Sequence, residues 1–271
     1  MRGSAGRSSR RAVFTMVALG MMLGPLAAMA QPAPVCVAPP PNLVGWWPGD
    51  GSTADIIGGH PGAWFGTAGY VAGRVGQAFS LDGNSWVQVP DAFALDPTRA
   101  ITIDAWIHFT GTSGTARIVD KIAAGGANGY LLDLLNTNAR FQVGGSAVVG
   151  TTTILAGNTY HIAGSYDGAS MSVYVNGVLD GGPFVTSIPV PTNTLPLRIG
   201  ADSTGANRFT GWIDEVELFN RGLSSSEILA IVAAGPAGKC KPQPIPASSA
   251  PLLVLLGLAV AAGAVFLLLR R

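Results

Sequence analysis

The stretch ITIDAWIHF, from Ile101 to Phe109, alternates between two kinds of side chain along its whole length. One face of the extended chain carries Ile101, Ile103, Ala105, Ile107 and Phe109, and the opposite face carries Thr102, Asp104, Trp106 and His108. Side chains of a β-strand point alternately to opposite faces, so this period over nine residues predicts a strand with one apolar face.

Short runs with strand character recur on both sides of this stretch. They are QAFSLDG (77–83), SWVQV (85–89), ARIVDKI (116–122), YLLDLLN (130–136), ARFQVG (139–144), YHIAGSYDG (160–168) and MSVYVNG (171–177). Three of the runs end in Asp82-Gly83, Asp167-Gly168 or Asn176-Gly177, which are dipeptides favoured in tight turns. Many short strands with frequent turns predict an all-β fold, a sandwich of two antiparallel sheets.

One helix is predicted in this domain, near its C-terminal end. Ser224 and Glu227 have the spacing of a capping box, in which each side chain accepts a hydrogen bond from the other residue's backbone N–H. Ile228 and Ile231 give the helix an apolar face, and Gly235 ends it. Glu227 is therefore assigned a structural role.

Residues 1–30 have the pattern of a secretory signal peptide. Four arginines precede the apolar run 12–26, and Ala28-Met29-Ala30 provides a small-residue cleavage site. The apolar run is short for a membrane span. The sequence therefore predicts export, followed by a Pro-rich linker over residues 31–41 and a globular domain over residues 42–240.

Residues 251–271 are predicted to form a transmembrane segment. The run from Leu252 to Leu269 is apolar throughout, and at ~1.5 Å per residue it reaches ~27 Å, close to the thickness of a bilayer core. The arginine pair that follows is expected to stay cytoplasmic. Pro244-Ile245-Pro246 before the span resembles bacterial C-terminal sorting signals of the PEP/IPTL kind, so residues 241–250 are a linker or a sorting motif. A permanent anchor and processing by a sorting protease remain alternatives, and both place the domain in the cell envelope or at the cell surface.

The charge of the chain is unevenly distributed. The whole sequence has 16 basic and 15 acidic residues, but six of the arginines lie in residues 1–30 and 251–271. Between these segments ten basic residues stand against 15 acidic ones, a net charge of −5. Such a domain has no electrostatic footprint for nucleic acid.

Cys36 and Cys240 are the two cysteines of the chain and lie at the two edges of the predicted domain. Export places them where disulfides persist, and closing a loop of ~200 residues would stabilise the fold by up to ~5 kcal/mol. The alternatives are two free thiols or a metal site, for which a nearby histidine is missing. We predict a Cys36–Cys240 disulfide.

Nine short segments follow one another in an order and with a spacing characteristic of one family. They are LVGWWPGDG (43–51), ADIIGGHPG (54–62), GRVGQAFSLDG (73–83), WVQVP (86–90), ITIDAWI (101–107), GNTYHIAGSYDG (157–168), MSVYVNGVL (171–179), LRIG (197–200) and FTGWIDEVELFNRGLSSSEI (209–228). Over residues 42–234 the chain resembles the laminin G-like branch of the concanavalin A-like lectin/glucanase superfamily. The resemblance implies a jelly-roll sandwich whose first and last strands are neighbours in one sheet, which agrees with the predicted disulfide.

The resemblance also implies ligands and a metal. Members of this family commonly bind carbohydrate or protein ligands, often with a calcium ion at the edge of the sandwich. The acidic positions of the family correspond here to Asp55, in the loop after the first strand, and Asp214, in the late strand. Calcium prefers oxygen ligands such as carboxylates, so a calcium site is expected at these two residues.

The segment GWIDEVELFN raises the question of catalysis because it holds Asp214, Glu215 and Glu217. Glycosidases of the superfamily use carboxylates at i, i+2 and i+4 of one strand, and retaining hydrolysis needs two carboxyl groups ~5 Å apart. Alternation places Glu215 and Glu217 on one face and Asp214 on the other. Because the triplet is broken, we expect Glu215 and Glu217 to face solvent and the chain not to be an enzyme.

A mixed polar and aromatic strand face is formed by Asp104, Trp106 and His108. Aromatic rings stack on sugar rings, so these three residues are assigned to ligand binding, with packing of the indole in the sandwich as the alternative. The function favoured by the sequence is an exported, surface-displayed binding module for a carbohydrate or an extracellular protein. A glycoside hydrolase or lyase and a purely structural envelope protein are the two alternatives.

Overall fold

The computed structural model describes residues 36–67, 69–111 and 114–242. Within these ranges the chain forms fifteen strands and one α-helix, with short 3-10 helices at Phe93–Leu95 and Gly235–Ala237. The strands are Leu43–Trp47 (β1), Ala63–Phe65 (β2), Tyr70–Ala72 (β3), Gln77–Asp82 (β4), Trp86–Val89 (β5), Ile101–Phe109 (β6), Thr115–Lys121 (β7), Tyr130–Leu135 (β8), Asn138–Val143 (β9), Ser146–Thr153 (β10), Thr159–Tyr166 (β11), Ser170–Val175 (β12), Val178–Val185 (β13), Leu197–Ile199 (β14) and Thr210–Phe219 (β15). The helix, α1, is Ser225–Ala233.

The strands form two antiparallel sheets. The larger sheet has eight strands in the order β13-β12-β11-β6-β15-β4-β3, and β1 pairs with β15 on the same side as β4. The smaller sheet has seven strands in the order β10-β9-β8-β7-β14-β5-β2. This confirms the predicted all-β sandwich of two antiparallel sheets and is consistent with a jelly roll. The first and last strands, β1 and β15, are neighbours as expected.

The apolar core lies between the two sheets. The apolar face of β6 is directed into it, and Ile103 and Ile107 belong to the same buried cluster as Leu132 of β8 and Phe141 of β9. Full burial of one such side chain contributes ~1.5–3 kcal/mol. The alternation in the sequence of β6 thus correctly identified which of its faces is apolar and buried in the sandwich.

The turn between β12 and β13 has the geometry predicted from its sequence. Asn176 and Gly177 have φ angles of 51° and 80°, and Val175 pairs with Val178 across the two-residue loop. A tight hairpin turn with two positive φ angles matches the right-handed twist of the strands, and asparagine followed by glycine tolerates these angles best.

Helix α1 begins with the predicted capping box. Ser224 Oγ accepts a hydrogen bond from the N–H of Glu227, and Glu227 Oε2 accepts one from the N–H of Ser224 at 2.9 Å. Glu227 also pairs with Arg221 at 2.6 Å, and hydrogen bonds from Arg221 lower the pKa of Glu227 to about 2. Ile228 and Ile231 pack on the outer face of the larger sheet, in a cluster with Ala163, Tyr174, Phe219 and Leu223.

A disulfide joins Cys36 and Cys240, with their Cα atoms 4.9 Å apart, as predicted. Next to it, Val37 forms an isolated bridge with Lys239. We call residues 238–242 the strap. The strap lies against the outer face of the larger sheet, because Lys239 and Lys241 contact carboxylates on β15.

The predicted signal peptide, residues 243–250 of the predicted linker or sorting motif and the predicted transmembrane segment fall outside the described residues. Within residues 36–67, 69–111 and 114–242, no helix has the length and apolarity needed to span a bilayer.

Candidate functional site

A β-bulge in β15 changes the direction of its acidic side chains. Asp214 pairs with Trp106 and Glu217 pairs with Asp104, so the two residues between them on β15 face one residue on β6. Glu215, the first of the two, has a φ of 53°, which is uncommon for a residue with a side chain. As a result, Asp214 lies on the same outer face as Glu217. The prediction that Asp214 faces the opposite way was wrong, because strict alternation assumes an unbroken ladder.

The prediction that Glu215 and Glu217 face solvent was also wrong. Their exposed fractions are 1% and 0%, because the strap covers them. Lys239 Nζ lies 3.0 Å from Glu217 and 3.8 Å from Glu215, and Lys241 Nζ lies 2.7 Å from Glu215. Lys239 is itself only 3% exposed. The two lysines of the strap therefore neutralise carboxylates that the sandwich alone would leave on its surface.

Burial dominates the electrostatics of this covered cluster. It raises the pKa of Glu215 and of Glu217, and Lys239 opposes the rise in both. It also raises the pKa of Asp214 to about 8, although backbone N–H groups of Val75 and Arg74 donate to its Oδ2 at 2.9 and 2.7 Å. Asp214 Oδ1 has no hydrogen-bond partner among the described residues. Burial thus favours the protonated form of Asp214.

The three residues assigned to ligand binding lie on this outer face, as alternation predicted, but two are covered. Asp104 is 1% exposed and binds His161 Nε2 at 2.9 Å. Trp106 is buried, with the guanidinium of Arg74 4.8 Å above its ring. His108 is half-buried and stacks on Trp212 at 5.4 Å. Ligand binding by Asp104, Trp106 and His108 stays a prediction, and in this structure only His108 of the three reaches solvent.

The two residues assigned to calcium have different surroundings. Asp55 Oδ1 accepts hydrogen bonds from the N–H groups of Trp46, Ile57 and Gly58 at 2.9–3.0 Å, and its Oδ2 accepts from the backbone and contacts the ring of His60. These bonds use the lone pairs that a cation would need. No group of three or more His, Cys, Asp or Glu side chains among the described residues is placed to hold a metal ion. Calcium binding by Asp55 and Asp214 stays a prediction.

The smaller sheet carries a second row of charged side chains on its outer face, which the sequence reasoning missed. We call this row the polar band. In spatial order across the strands it consists of Arg140 and Gln142 (β9), Asp133 (β8), Arg117 and Asp120 (β7), Arg198 (β14), Gln88 and Trp86 (β5) and Phe65 (β2). Their positions in the ladders place these side chains side by side across six adjacent strands.

Ion pairs link the members at one end of the polar band. Arg140 donates to both oxygens of Asp133, at 2.9 and 2.6 Å, and Arg117 donates to the same carboxylate. Arg117 Nε lies 2.9 Å from Asp120 Oδ2. Arg117, Asp120 and Asp133 are buried, whereas Arg140 and Gln142 are half-buried.

A pocket opens over this end of the polar band. Its volume is about 130 Å³, and its walls are Arg117, Ile122, Ala123, Gly125, Gly126, Leu131, Arg140 and Gln142. The loop between β7 and β8 forms one wall and is tied to a second loop by a hydrogen bond from Ala124 N–H to Ser203 Oγ at 2.8 Å. Burial raises the pKa of Asp120 to about 7, against the lowering effect of Arg117. The pocket therefore presents fixed cations, and the carboxyl group of Asp120 is buried beside one of them, Arg117.

The other end of the polar band is aromatic. Phe65 and Trp86 stack with their centroids 5.3 Å apart and their planes at 5°. The guanidinium groups of Arg198 and Arg208 lie 5.6 and 5.4 Å from the Trp86 ring. Phe65 is 41% exposed, so part of its ring surface is available to a ligand.

One signal in the sequence pointed to the polar band. The runs that form β7, β8 and β9 contain charged residues among apolar ones. They include Arg117 and Asp120 in β7, Asp133 in β8 and Arg140 in β9. A charge in a strand that is otherwise buried usually has a partner of opposite charge, and here the partners lie on neighbouring strands.

Solved structures of similar fold include binding domains. One is domain 4 of AbnA, a GH43 extracellular arabinanase from Geobacillus stearothermophilus, in complex with arabinotriose, with 22% identity and a TM-score of 0.54 over 70% of this chain and 97% of that one. Another is the binding domain of Paraclostridial Mosquitocidal Protein 1, with 16% identity and a TM-score of 0.57 over 70% and 52%. A third is the binding domain of botulinum neurotoxin DC in complex with SialylT, with 12% identity and a TM-score of 0.54 over 72% and 52%.

The chain spans about half the length of these two toxin domains. At such identities the similarity concerns the fold. No curated protein sequence matches the chain significantly. The sequence profile of the concanavalin A-like lectin/glucanases superfamily matches residues 81–229, more than half of the chain, and the protein therefore belongs to that superfamily.

Proposed function

We propose that the protein is a non-catalytic binding module that recognises carbohydrate through the polar band. The observation that carries this proposal is the band itself, a row of hydrogen-bonding side chains that ends in an aromatic pair, the exposed Phe65 and the half-buried Trp86. Arbitrary surface residues seldom combine fixed donors, fixed acceptors and an open ring face in one row. The binding of arabinotriose by a domain of similar fold supports the same ligand class.

The chemistry of the band suits sugar hydroxyls. Each hydroxyl both donates and accepts, and the half-buried Arg140 and Gln142 place a guanidinium donor beside an amide oxygen that can accept. These side chains are held by ion pairs, so little conformational entropy is lost when a ligand binds. Five strand spacings of ~4.8 Å separate β9 from β2 along the row, a length of ~24 Å that suits an oligosaccharide.

We propose binding without cleavage because each carboxylate of the band is engaged by arginine. Asp133 is shared by Arg117 and Arg140, and Asp120 pairs with Arg117. A glycosidase needs one carboxyl group that can donate its proton and a second carboxylate free to act as nucleophile or base. On β15, Glu215 and Glu217 are covered by the strap and bound to lysines.

We also propose that the module acts outside the cytoplasm, at the cell envelope or the cell surface. The pairing of Cys36 with Cys240 supports this location, because disulfides persist in oxidising compartments. The acidic net charge between the two terminal segments argues for glycan or protein ligands over nucleic acid.

A glycan array probed with the full-length protein tests the proposal. We expect binding to a subset of glycans, and we expect Gln142→Ala and Gln88→Ala to weaken it several-fold each, since a neutral hydrogen bond contributes ~0.5–1.5 kcal/mol. His108→Ala is the matched control, because His108 is half-buried on the other sheet. A loss of binding in His108→Ala alone would move the site to the predicted face of β6. Binding to no glycan would overturn the proposal and favour a protein ligand or a structural role.

Two further arms of the same experiment test the remaining expectations. Binding measured with calcium and with EDTA shows whether recognition depends on the metal predicted at Asp55 and Asp214. Release of reducing sugar from a bound polysaccharide would show catalysis, and abolition of that release by Glu215→Gln would identify an active site on β15.

A further inference from the structure

We infer that the aromatic end of the polar band is a subsite for an anionic group on the saccharide, a carboxylate or a sulfate. This inference rests on the proposed function and narrows its ligand class. It is built on Arg198, Arg208 and Trp86, whose contacts leave positive charge and hydrogen-bond donors unused.

Arg198 of the polar band and Arg208, in the loop between β14 and β15, differ from the other arginines of the band in their pairing. Arg117 and Arg140 each form an ion pair with an aspartate. Arg198 and Arg208 form none with the described residues and instead donate to neutral oxygens. Arg198 bonds Gln88 Oε1 at 3.0 Å and the carbonyl of Asp202 at 2.6 Å, and Arg208 bonds the carbonyl of Gly205 at 2.7 Å.

Most of the donors of Arg208 remain available. A guanidinium carries five N–H donors, and in Arg208 only Nε donates to the described residues. Its two terminal nitrogens have the fork geometry that binds a carboxylate or sulfate through two parallel hydrogen bonds. Arg208 is exposed, so a ligand can reach this fork.

Trp86 provides a third, independent donor. Its Nε1 atom is buried and has no hydrogen-bond partner among the described residues. A buried N–H without a partner is unfavourable, so a local movement that admits a ligand oxygen beside it would be favoured. The ring that carries this N–H also stacks on Phe65, so an aromatic platform and cationic donors lie together.

Two carboxylates near Arg198 are already engaged. Asp120 pairs with Arg117. Asp202 accepts hydrogen bonds from Thr204 N–H and Oγ1–H, from Ala206 N–H and from Asn207 Nδ2, at 2.7–2.9 Å. Burial lowers the pKa of Arg198, and the charges of Asp120 and Asp202 oppose this effect without forming an ion pair with it. An anionic group on a ligand would give Arg198 and Arg208 a partner in direct contact.

Matched pairs of polysaccharides test the inference on the full-length protein. Polygalacturonate is compared with its methyl ester, and dextran sulfate with dextran, so that within each pair the anionic group is the main difference. We expect at least one charged member to bind about tenfold more tightly than its neutral partner. The two pairs also distinguish a carboxylate subsite from a sulfate subsite.

Three variants separate a built subsite from general attraction between charges. Arg208→Gln should remove most of the preference for the charged member, and Arg208→Lys should remove much of it too, because a lysine keeps the charge but loses the fork. Arg99→Gln changes an exposed arginine outside the band and should leave the preference intact. If the Arg208 variants fold poorly, Trp86→Phe is tested in their place. It removes the N–H of the indole and keeps an aromatic ring.

The outcomes distinguish this inference from the proposed function. Equal binding of charged and neutral members would overturn the subsite while leaving the carbohydrate-binding module in place. Equal loss in Arg99→Gln and Arg208→Gln would also overturn it, because the attraction would then be non-specific. Failure of all four polysaccharides and of the glycan array would overturn both.

Discussion

The outer faces of the two sheets carry the same kinds of residue in opposite settings. On the larger sheet, Glu215 and Glu217 are buried beneath the strap and neutralised by Lys239 and Lys241. On the smaller sheet the polar band lies open at a pocket and at the exposed ring of Phe65, which stacks on Trp86. The strap, which the disulfide tethers, accounts for this difference in exposure. The strands of both sheets carry similar charged side chains.

The comparison separates stability from recognition. A buried ion pair gains Coulomb energy but loses hydration, so its net contribution is small while the removal of one partner is strongly unfavourable. Charges at a half-open surface keep some of their water and can exchange it for a ligand. We therefore expect changes under the strap to alter the free energy of unfolding, and changes in the polar band to alter binding.

The largest effect is expected from Lys239→Ala. The change leaves Glu217 fully buried without its cation, and breaking a buried pair in this way costs about 3–5 kcal/mol. Urea unfolding of the variant and of the unchanged protein measures the loss. Glycan binding by the folded fraction should be unchanged.

Arg140→Ala on the other sheet is the matched control for Lys239→Ala. Asp133 keeps its second partner, Arg117, so the loss of stability should be smaller, whereas glycan binding should fall. If the two variants lost stability equally, or if Lys239→Ala lost binding as well, the division of roles between the two faces would be wrong.

The second largest effect is expected when both cysteines are replaced by serine. The disulfide closes a loop with a sequence separation of 204 residues, and its removal should lower the free energy of unfolding by about 2–4 kcal/mol. Without the tether the strap should open more often, so amide hydrogens of β15 near Glu217 should exchange faster with solvent. Hydrogen exchange that rose equally in β8, under the polar band, would show that the tether acts on the whole sandwich.

The sequence predicted the strands, the Asn176-Gly177 turn and the capping box because each depends on residues close together in the chain. It did not predict the bulge at Glu215, since nothing in a glutamate indicates a positive φ. It also did not assemble the polar band. Arg117, Asp133 and Arg140 are neighbours only when the register of β7, β8 and β9 is known.

The position of the strap over the larger sheet could not be predicted from the sequence for the same reason. Alternation correctly placed Asp104 and Trp106 on the outer face of β6, but it could not show that a segment beginning at residue 238 lies over that face. The disulfide prediction contained part of this information. A bridge between the edges of the domain must hold some chain against the sandwich, although the sequence does not say over which strands.

Within any one pH unit, the smallest effect concerns the dependence of stability on pH. The pKa of Asp214 is raised from 3.8 to about 8 in the folded protein, so between these values the native state binds one proton more than the unfolded state. The free energy of unfolding contributed by this group therefore falls as pH rises from about 4 to about 8, by at most ~1.4 kcal/mol per pH unit. The side chain of the Asp214→Asn variant does not titrate, and its amide oxygen can still accept hydrogen bonds from Arg74 and Val75. The contribution of residue 214 to the pH dependence of the free energy of unfolding should therefore vanish.

Asp120→Asn extends the test to the polar band. The pKa of Asp120 is raised to about 7, so its contribution to stability also falls as pH rises from about 4 to about 7. Over this range the slope of the Asp120→Asn variant should be flatter than that of the unchanged protein. Unfolding midpoints in urea at each pH measure both. If Asp214→Asn left the dependence of stability on pH unchanged, Asp214 would be ionised in the folded protein. Burial on the larger sheet would then not raise its pKa as proposed.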